Sequence, residues 1–235
     1  MPLFFPMDST YILVMIGLVI SLAAQAYVKS SFSKYSKELS RRGYTATQAA
    51  RYILEKSDIH DVSVERIAGD LTDHYDSRNK VLRLSDATAQ STSVAAIGVA
   101  AHEVGHAIQD QENYIPLRAR AALVPVVNIG QSISMPMILI GFFLNSNSSY
   151  FLIQLGLLLF SLTFIFQVVT LPVEFNASSR ALRILSNGGI LEQDEVPKAR
   201  KVLNAAALTY VAAAIMSFLQ LLRLVLLFGG GRRRD

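Results

Sequence analysis

The sequence has no cysteine among its 235 residues, so it forms no disulfide bond. A metal site in this chain must therefore use histidine nitrogens and carboxylate oxygens rather than thiolates. Charged residues are also scarce, at 17% of the chain, and the formal net charge is only +4. No basic segment is interleaved with aromatic side chains, and we therefore predict no nucleic-acid partner. Contact with a lipid bilayer that has anionic headgroups explains the small excess of basic residues better than a nucleic-acid partner does.

Apolar residues are abundant, at 51% of the sequence with a mean hydropathy of +0.36. Four apolar runs, at 9–27, 123–144, 150–171 and 205–228, have about the 20 residues that a helix needs to cross a bilayer. We predict a mostly α membrane protein with about four transmembrane helices. The predicted segments are an N-terminal helix (1–28), a polar segment (29–122), a membrane hairpin (123–171), a second polar segment (172–204) and a C-terminal helix with a basic tail (205–235).

Lysine and arginine are concentrated in the two polar segments, with thirteen between residues 29 and 120 and five between 180 and 201. The predicted hairpin tip at 145–149 has none. Because basic loops are retained on the cytoplasmic side, we predict that both polar segments face the cytoplasm. The three arginines at 232–234 would then lie outside, against the same rule. Either the last run crosses nonetheless, which its length favours, or it lies in the membrane plane with Arg223 at the interface.

His102, Glu103 and His106 form the segment His-Glu-Val-Gly-His in a predicted helix. Residues four apart lie on one face of an α-helix, so both imidazoles can point at one metal ion, and Gln109 falls on the same face. The carboxylate of Glu103 can reach a water bound to that metal. This pattern is the signature of metalloproteases, and it predicts a Zn²⁺ cofactor with Glu103 as the general base of a hydrolysis.

Two histidines need a third protein ligand, and Glu174 is our prediction. It begins the second polar segment, just after the hairpin has returned to the side of the histidines. His60 and His74 are the competing ligands. Asp110 and Glu112 follow the motif too closely on the same helix to close the site easily.

A hydrolytic site also needs a donor for the developing oxyanion. His74, Tyr75 and Arg180 are candidates for this role or for supporting the ligands, and the sequence does not choose among them.

Two short strands are predicted in the first polar segment, at 62–67 and at Val81, Leu82, Arg83 and Leu84. The second strand runs almost directly into the metal-binding helix. An exposed edge there could bind a substrate backbone as an added strand, which is a sequence-tolerant way to hold peptides. An ordinary structural strand is the alternative, and the sequence leaves both open.

Four segments together resemble the YugP-like family of bacterial membrane zinc metallopeptidases: AHEVGHAIQ, the upstream DHYD and KVLRLS, and the downstream LPVEFNAS. The order of elements is also similar to that of HtpX-type and CAAX-processing membrane proteases. The resemblance covers nearly the whole chain and implies a small α+β zincin-like (gluzincin) catalytic region in a bacterial inner-membrane protein. It implies zinc on His102, His106 and Glu174, with Glu103 as the base.

One position departs from the related pattern. In HtpX-like proteins an aspartate often stands four residues after the ligand glutamate and supports a metal-bound histidine. This sequence has Ser178 at that position.

Other classes of function remain as alternatives to a membrane endopeptidase. A small transporter would usually carry ionisable groups inside its spans, and here Arg223 alone qualifies. A membrane scaffold or adaptor with a structural metal site has no need of Glu103. The partners we predict are a peptide or membrane-protein substrate and the bilayer, with a homo-oligomer or another membrane protein as a further partner.

Overall fold

The computed structural model describes residues 8–144 and 148–229. Its helices are α1 (Tyr11–Tyr35), α2 (Ala46–Lys56), α3 (Asp86–Ala89), α4 (Val94–Gln111), α5 (Ile115–Phe143), α6 (Ser148–Asn187) and α7 (Val196–Phe228). Its strands are β1 (Ser63–Ile67), β2 (His74–Asp76) and β3 (Val81–Ser85). Helices α1, α5, α6 and α7 are long and apolar enough to cross a membrane. The prediction of a mostly α membrane protein with a small α+β region is confirmed.

The chain divides into two compact units. The first, which we call the helical unit, consists of the described parts of 1–23, 119–170 and 210–235. The second, which we call the polar unit, consists of 24–118 and 171–209. Each of the four long helices begins in one unit and ends in the other, because each continues beyond its apolar run.

In the helical unit, α5 and α6 form an antiparallel hairpin held by close backbone contact. A Cβ on Gly156 of α6 would lie 2.9 Å from the carbonyl oxygen of Ser134 on α5, so only glycine allows this approach. Ile138 of α5 is completely buried and packs with Leu157 and Phe160 of α6. The predicted polar tip at 145–149 falls largely outside the described residues.

Helices α1 and α7 also run antiparallel within the helical unit. Asp8, just before α1, lies 3.4 Å from the guanidinium of Arg223 near the end of α7, and the ring centroid of Tyr11 lies 4.1 Å from the same group. The ring of Phe228, which ends α7, contacts that of Phe142 near the end of α5 at 5.7 Å. The start of α1 and the ends of α5 and α7 therefore lie at one end of the unit, as four crossings require.

The polar unit is built around α4. Small and branched side chains of α4, among them Ala100 and Val104, are fully buried against α2, the sheet and the parts of α6 and α7 that belong to this unit. Helix α2 begins with the capping box predicted from its sequence, since Thr45 and Gln48 each hydrogen-bond the backbone N–H of the other. Ser93 caps α4 by accepting a hydrogen bond from the N–H of Ala96.

Of the two alternatives left open for Val81, Leu82, Arg83 and Leu84, the exposed edge strand is wrong and the structural strand is correct. They belong to β3, the central strand of a three-stranded sheet, with β1 parallel on one side and β2 antiparallel on the other. Leu82 and Leu84 are completely buried, and the intervening Arg83 pairs with Asp76 of β2 at 3.1 Å. Strand β2 covers the second edge of β3, and the sequence analysis did not predict it.

Candidate metal centre

Three side chains converge where α4 meets α6. Glu174 Oε2 lies 3.2 Å from His102 Nε2 and 3.5 Å from His106 Nε2, and one ligand atom of each residue lies within 4.8 Å of the other two. Donors bound tetrahedrally to zinc at its usual bond lengths are about 3.4 Å apart. The two distances from the carboxylate already match that spacing.

The convergence depends on a close crossing of α4 and α6. A Cβ on Gly105 would lie only 2.7 Å from the carbonyl oxygen of Ala177, so any larger residue would push the two helices apart. Glu174 lies about one turn before Ala177, and His102 and His106 flank Gly105. The glycine between the two histidines is therefore what allows the third donor to reach them.

Each imidazole turns its other nitrogen to a hydrogen-bonding partner. His102 Nδ1 lies 3.1 Å from Ser178 Oγ, and His106 Nδ1 lies 3.0 Å from Gln109 Oε1. Both rings thus present Nε2 to the centre and use Nδ1 for support. Partners of this kind fix the orientation and tautomer of metal-binding histidines.

The electrostatic field of the site favours positive charge. Glu174 is only 2% exposed, so its carboxylate depends on the neighbouring imidazoles for compensation. Burial opposes protonation of His106, but a hydrogen bond with Glu174 and the charges of Glu103 and Glu174 outweigh it, and the pKa of His106 is raised. The same field would attract a metal cation. Glu103 is half-buried, and it is close enough to His106 for its charge to act on that imidazole.

His60, His74 and Tyr75, which the sequence suggested as metal ligands or oxyanion donors, have other partners in the structure. His74 Nδ1 is 2.8 Å from the carbonyl oxygen of Thr72, and His60 is exposed and pairs with Asp58, so neither joins the three donors. Tyr75 donates its hydroxyl proton to Asp110 at 2.8 Å, and burial together with that bond raises the pKa of Tyr75.

Arg180 contacts no donor of the centre in the hydrogen bonds found among the described residues. It donates from Nε to Asn176 Oδ1 at 2.7 Å and forms an ion pair with Glu112 at 2.7 Å. Asn176 in turn contacts Gln109, so Arg180 is connected to His106 through two amides.

Sequence reasoning missed two residues of this site, Gln109 and Asn176. Helical spacing placed Gln109 on the histidine face, and that was the available signal. Asn176 gave none, because its contact with Gln109 joins positions far apart in the chain.

Comparison with known proteins identifies the family. The family described as "Putative neutral zinc metallopeptidase" matches residues 10–229. The chain belongs to this family. The protein named "Putative membrane protease YugP" from Bacillus subtilis (strain 168) is 48% identical over 216 residues, which cover 92% of this chain and 95% of the relative. No solved structure matches.

These findings confirm the resemblance seen in the sequence, and they support a protease of the membrane. The donor set fits the metal in the family's description, because two imidazoles and one carboxylate are a common protein ligand set of catalytic zinc. Whether the three side chains act as ligands, and Glu103 as a base, stays a prediction.

Proposed function

We propose that this protein is a zinc-dependent endopeptidase of the bacterial inner membrane that hydrolyses peptide bonds of membrane or membrane-proximal proteins. The observation that carries the proposal is the position of Glu174 Oε2, at 3.2 and 3.5 Å from the Nε2 atoms of His102 and His106. Three protein donors leave one position of a tetrahedral zinc site for water or substrate.

A zinc ion held by these donors would polarise a peptide carbonyl and lower the pKa of water at the site. Glu103 follows the first histidine on α4 and lies next to the centre, where its carboxylate accepts a proton from the attacking water. The same carboxyl group then passes that proton to the leaving nitrogen, so the base is regenerated for the next turnover.

We assign no oxyanion role to His74, Tyr75 or Arg180. Each is already engaged with other partners: His74 with Thr72, Tyr75 with Asp110, and Arg180 with Asn176 and Glu112. The donor of the oxyanion site is therefore left open in this proposal.

The proposed active site faces the cytoplasm, because the two polar segments carry eighteen lysines and arginines in the ranges 29–120 and 180–201. A site on this side would take substrates that are exposed at the inner membrane surface, including loops and ends of other membrane proteins. A homo-oligomer or a membrane-protein partner fits this location as well.

A scaffold or small transporter with a structural zinc is the rival class. Structural zinc sites are normally closed by four protein ligands, whereas the candidate group found among the described residues has three members. This difference favours the enzyme.

The test is metal analysis of the purified, detergent-solubilised protein together with a β-casein cleavage assay. We expect about one zinc per chain, cleavage that stops with a zinc chelator, and recovery when zinc is added back. Cleavage that persists after the zinc has been removed would refute a zinc-dependent mechanism. X-ray absorption showing four protein ligands, together with inactivity, would favour the structural alternative.

A further inference from the structure

Gln109 is a completely buried polar residue whose amide group has partners on both of its ends. Its Oε1 lies 3.0 Å from His106 Nδ1. Its Nε2 lies 2.9 Å from the carbonyl oxygen of Val173 and 2.9 Å from Asn176 Oδ1. A buried amide held at three points cannot turn without losing hydrogen bonds, and each lost bond leaves a buried polar group unpaired.

The chemistry of these partners fixes the direction of every hydrogen bond. The carbonyl oxygen of Val173 can only accept, so the amide nitrogen of Gln109 must face it. The amide oxygen of Gln109 then faces His106 and can only accept. The ring must therefore carry a proton on Nδ1 to donate. In the charged ring Nε2 also carries a proton and can donate to Glu174; in the neutral ring the bond to Gln109 keeps the single proton on Nδ1, against the competing carboxylate 3.5 Å from Nε2.

A second chain of contacts, which begins at Arg180, fixes the side-chain amide of Gln109 in the same orientation. A guanidinium only donates, so the 2.7 Å bond from Arg180 Nε fixes the side-chain oxygen of Asn176 as an acceptor. That oxygen then also accepts from Gln109 Nε2. The ion pair with Glu112 at 2.7 Å holds Arg180 in place. Two separate anchors thus set the orientation of one amide.

The two residues that the Gln109 amide nitrogen contacts lie on either side of Glu174, the proposed third ligand, in the sequence. Val173 immediately precedes Glu174 on α6, and Asn176 lies two residues after it. The side chain of Gln109 therefore joins the turn of α6 that carries Glu174 to the helix that carries both histidines. A shift of that turn along α4 would break both bonds from the amide nitrogen.

We propose that Gln109 is a positioning residue of the metal centre: it keeps the proton of neutral His106 on Nδ1 and fixes the turn of α6 that presents Glu174. The purpose of this arrangement rests on the proposed function, since a tautomer matters only if Nε2 binds a metal. The position of the proton is a property of the chain itself and can be measured without zinc.

The first test uses the small number of histidines, four in the whole chain. Protein labelled with ¹⁵N-histidine is made metal-free and studied by NMR at a pH that leaves the imidazoles neutral. We expect the proton of His106 on Nδ1. A proton on Nε2 would overturn the proposal whatever zinc does, and His106→Gln identifies the signal.

The second test measures zinc affinity by chelator competition in Gln109→Met, which keeps the length of the side chain and removes both polar ends. Loss of the supporting hydrogen bond should weaken zinc binding by about 10- to 100-fold. The matched control is Gln111→Met at the exposed end of the same helix, which should stay within about twofold of the wild type because Gln111 does not contact the site.

Wild-type zinc affinity in Gln109→Met would overturn the positioning role. Cobalt substitution adds a second readout, because the visible spectrum of Co²⁺ reports the geometry of its ligands, and it should change in Gln109→Met alone. If the wild-type protein binds no zinc, the proposed function fails, and the NMR experiment still decides where the proton lies.

Discussion

Ser178 Oγ lies 3.1 Å from His102 Nδ1. The serine is one helical turn after Glu174 on α6, so the proposed ligand and the residue that contacts His102 lie on the same face of the helix. In HtpX-type proteases, which the sequence resembles in its order of elements, an aspartate often stands at this position. The shorter serine still reaches the ring here because α6 approaches α4 so closely at Gly105.

Replacing Ser178 with alanine should weaken zinc binding. The substitution removes the partner of His102 Nδ1 and leaves the ring free to turn, which typically costs about 10-fold or more in metal affinity. Chelator competition measures the change. The matched control is Ser179→Ala, since Ser179 is the exposed neighbour on the same helix. Equal affinity in the two variants would show that Ser178 does not support the histidine.

Gly105→Ala should separate α4 from α6. The new Cβ would lie 2.7 Å from the carbonyl oxygen of Ala177, and overpacking of this kind costs about 1–3 kcal/mol. We expect a lower thermal unfolding midpoint of the metal-free protein and weaker zinc binding, both measured on the same preparation.

Gly98→Ala is the matched control for that experiment. Gly98 is on the same helix, but its added Cβ would meet the Cβ of Ala199 at 3.4 Å, which is an ordinary contact. Alanine is also favoured over glycine inside a helix by about 1 kcal/mol, so stability should be unchanged or slightly higher. If both alanine variants behave alike, the close crossing at Gly105 is not what assembles the site.

Glu174→Ala should lower zinc occupancy, whereas His74→Ala should leave the metal in place. Glu174 lies within 3.5 Å of both imidazole Nε2 atoms, while His74 is held on the sheet by Thr72 and Arg83. Metal content of the purified variants, measured by mass spectrometry, decides between them. Loss of zinc in His74→Ala with retention in Glu174→Ala would move the third ligand to His74.

The four-crossing topology can be tested with single cysteines, because the natural chain has none. We expect an impermeant thiol reagent to label Asn147→Cys and Asp235→Cys on intact cells, and Gln193→Cys only after lysis. Both outer positions lie outside the described residues, but Phe142 and Phe228, which precede them, are in contact.

Two other labelling patterns would revise the topology. Labelling of Gln193→Cys alone on intact cells would invert the protein and place the site outside. Protection of Asp235→Cys with labelling of Asn147→Cys would reduce the crossings to three. Gln193 suits the experiment because it is exposed, unlike the nearby Glu195, which is buried and accepts hydrogen bonds from two backbone N–H groups.

The sequence predicted correctly those features that depend only on residues close together in the chain. The capping box of α2, the apolar runs and the spacing of His102 and His106 depend on neighbouring residues, and the structure has all three. Glu174 was also brought to the histidines as predicted, because a membrane hairpin has to return the chain to the side from which it left.

Features that depend on pairing between distant residues escaped prediction. Strand β2 has only three residues, of polar sequence, and it pairs with β3; without it, the sequence left open whether β3 is an edge strand. Gln109 looked like any polar residue on a helix face until α6 supplied Val173 and Asn176 as its partners. The role of Gly105 in the close crossing of α4 and α6 could likewise not be predicted, because it depends on the contact with Ala177, which is distant in the chain.

The most direct test of the proposed mechanism is the activity and zinc content of Glu103→Gln, measured on one sample. The amide cannot accept the proton of the attacking water, yet the three donors, His102, His106 and Glu174, are untouched. We predict that zinc stays at about one per chain while cleavage of β-casein falls by about 10²- to 10⁴-fold. Retained cleavage with zinc bound, or loss of zinc in step with activity, would contradict the role of Glu103 as the general base.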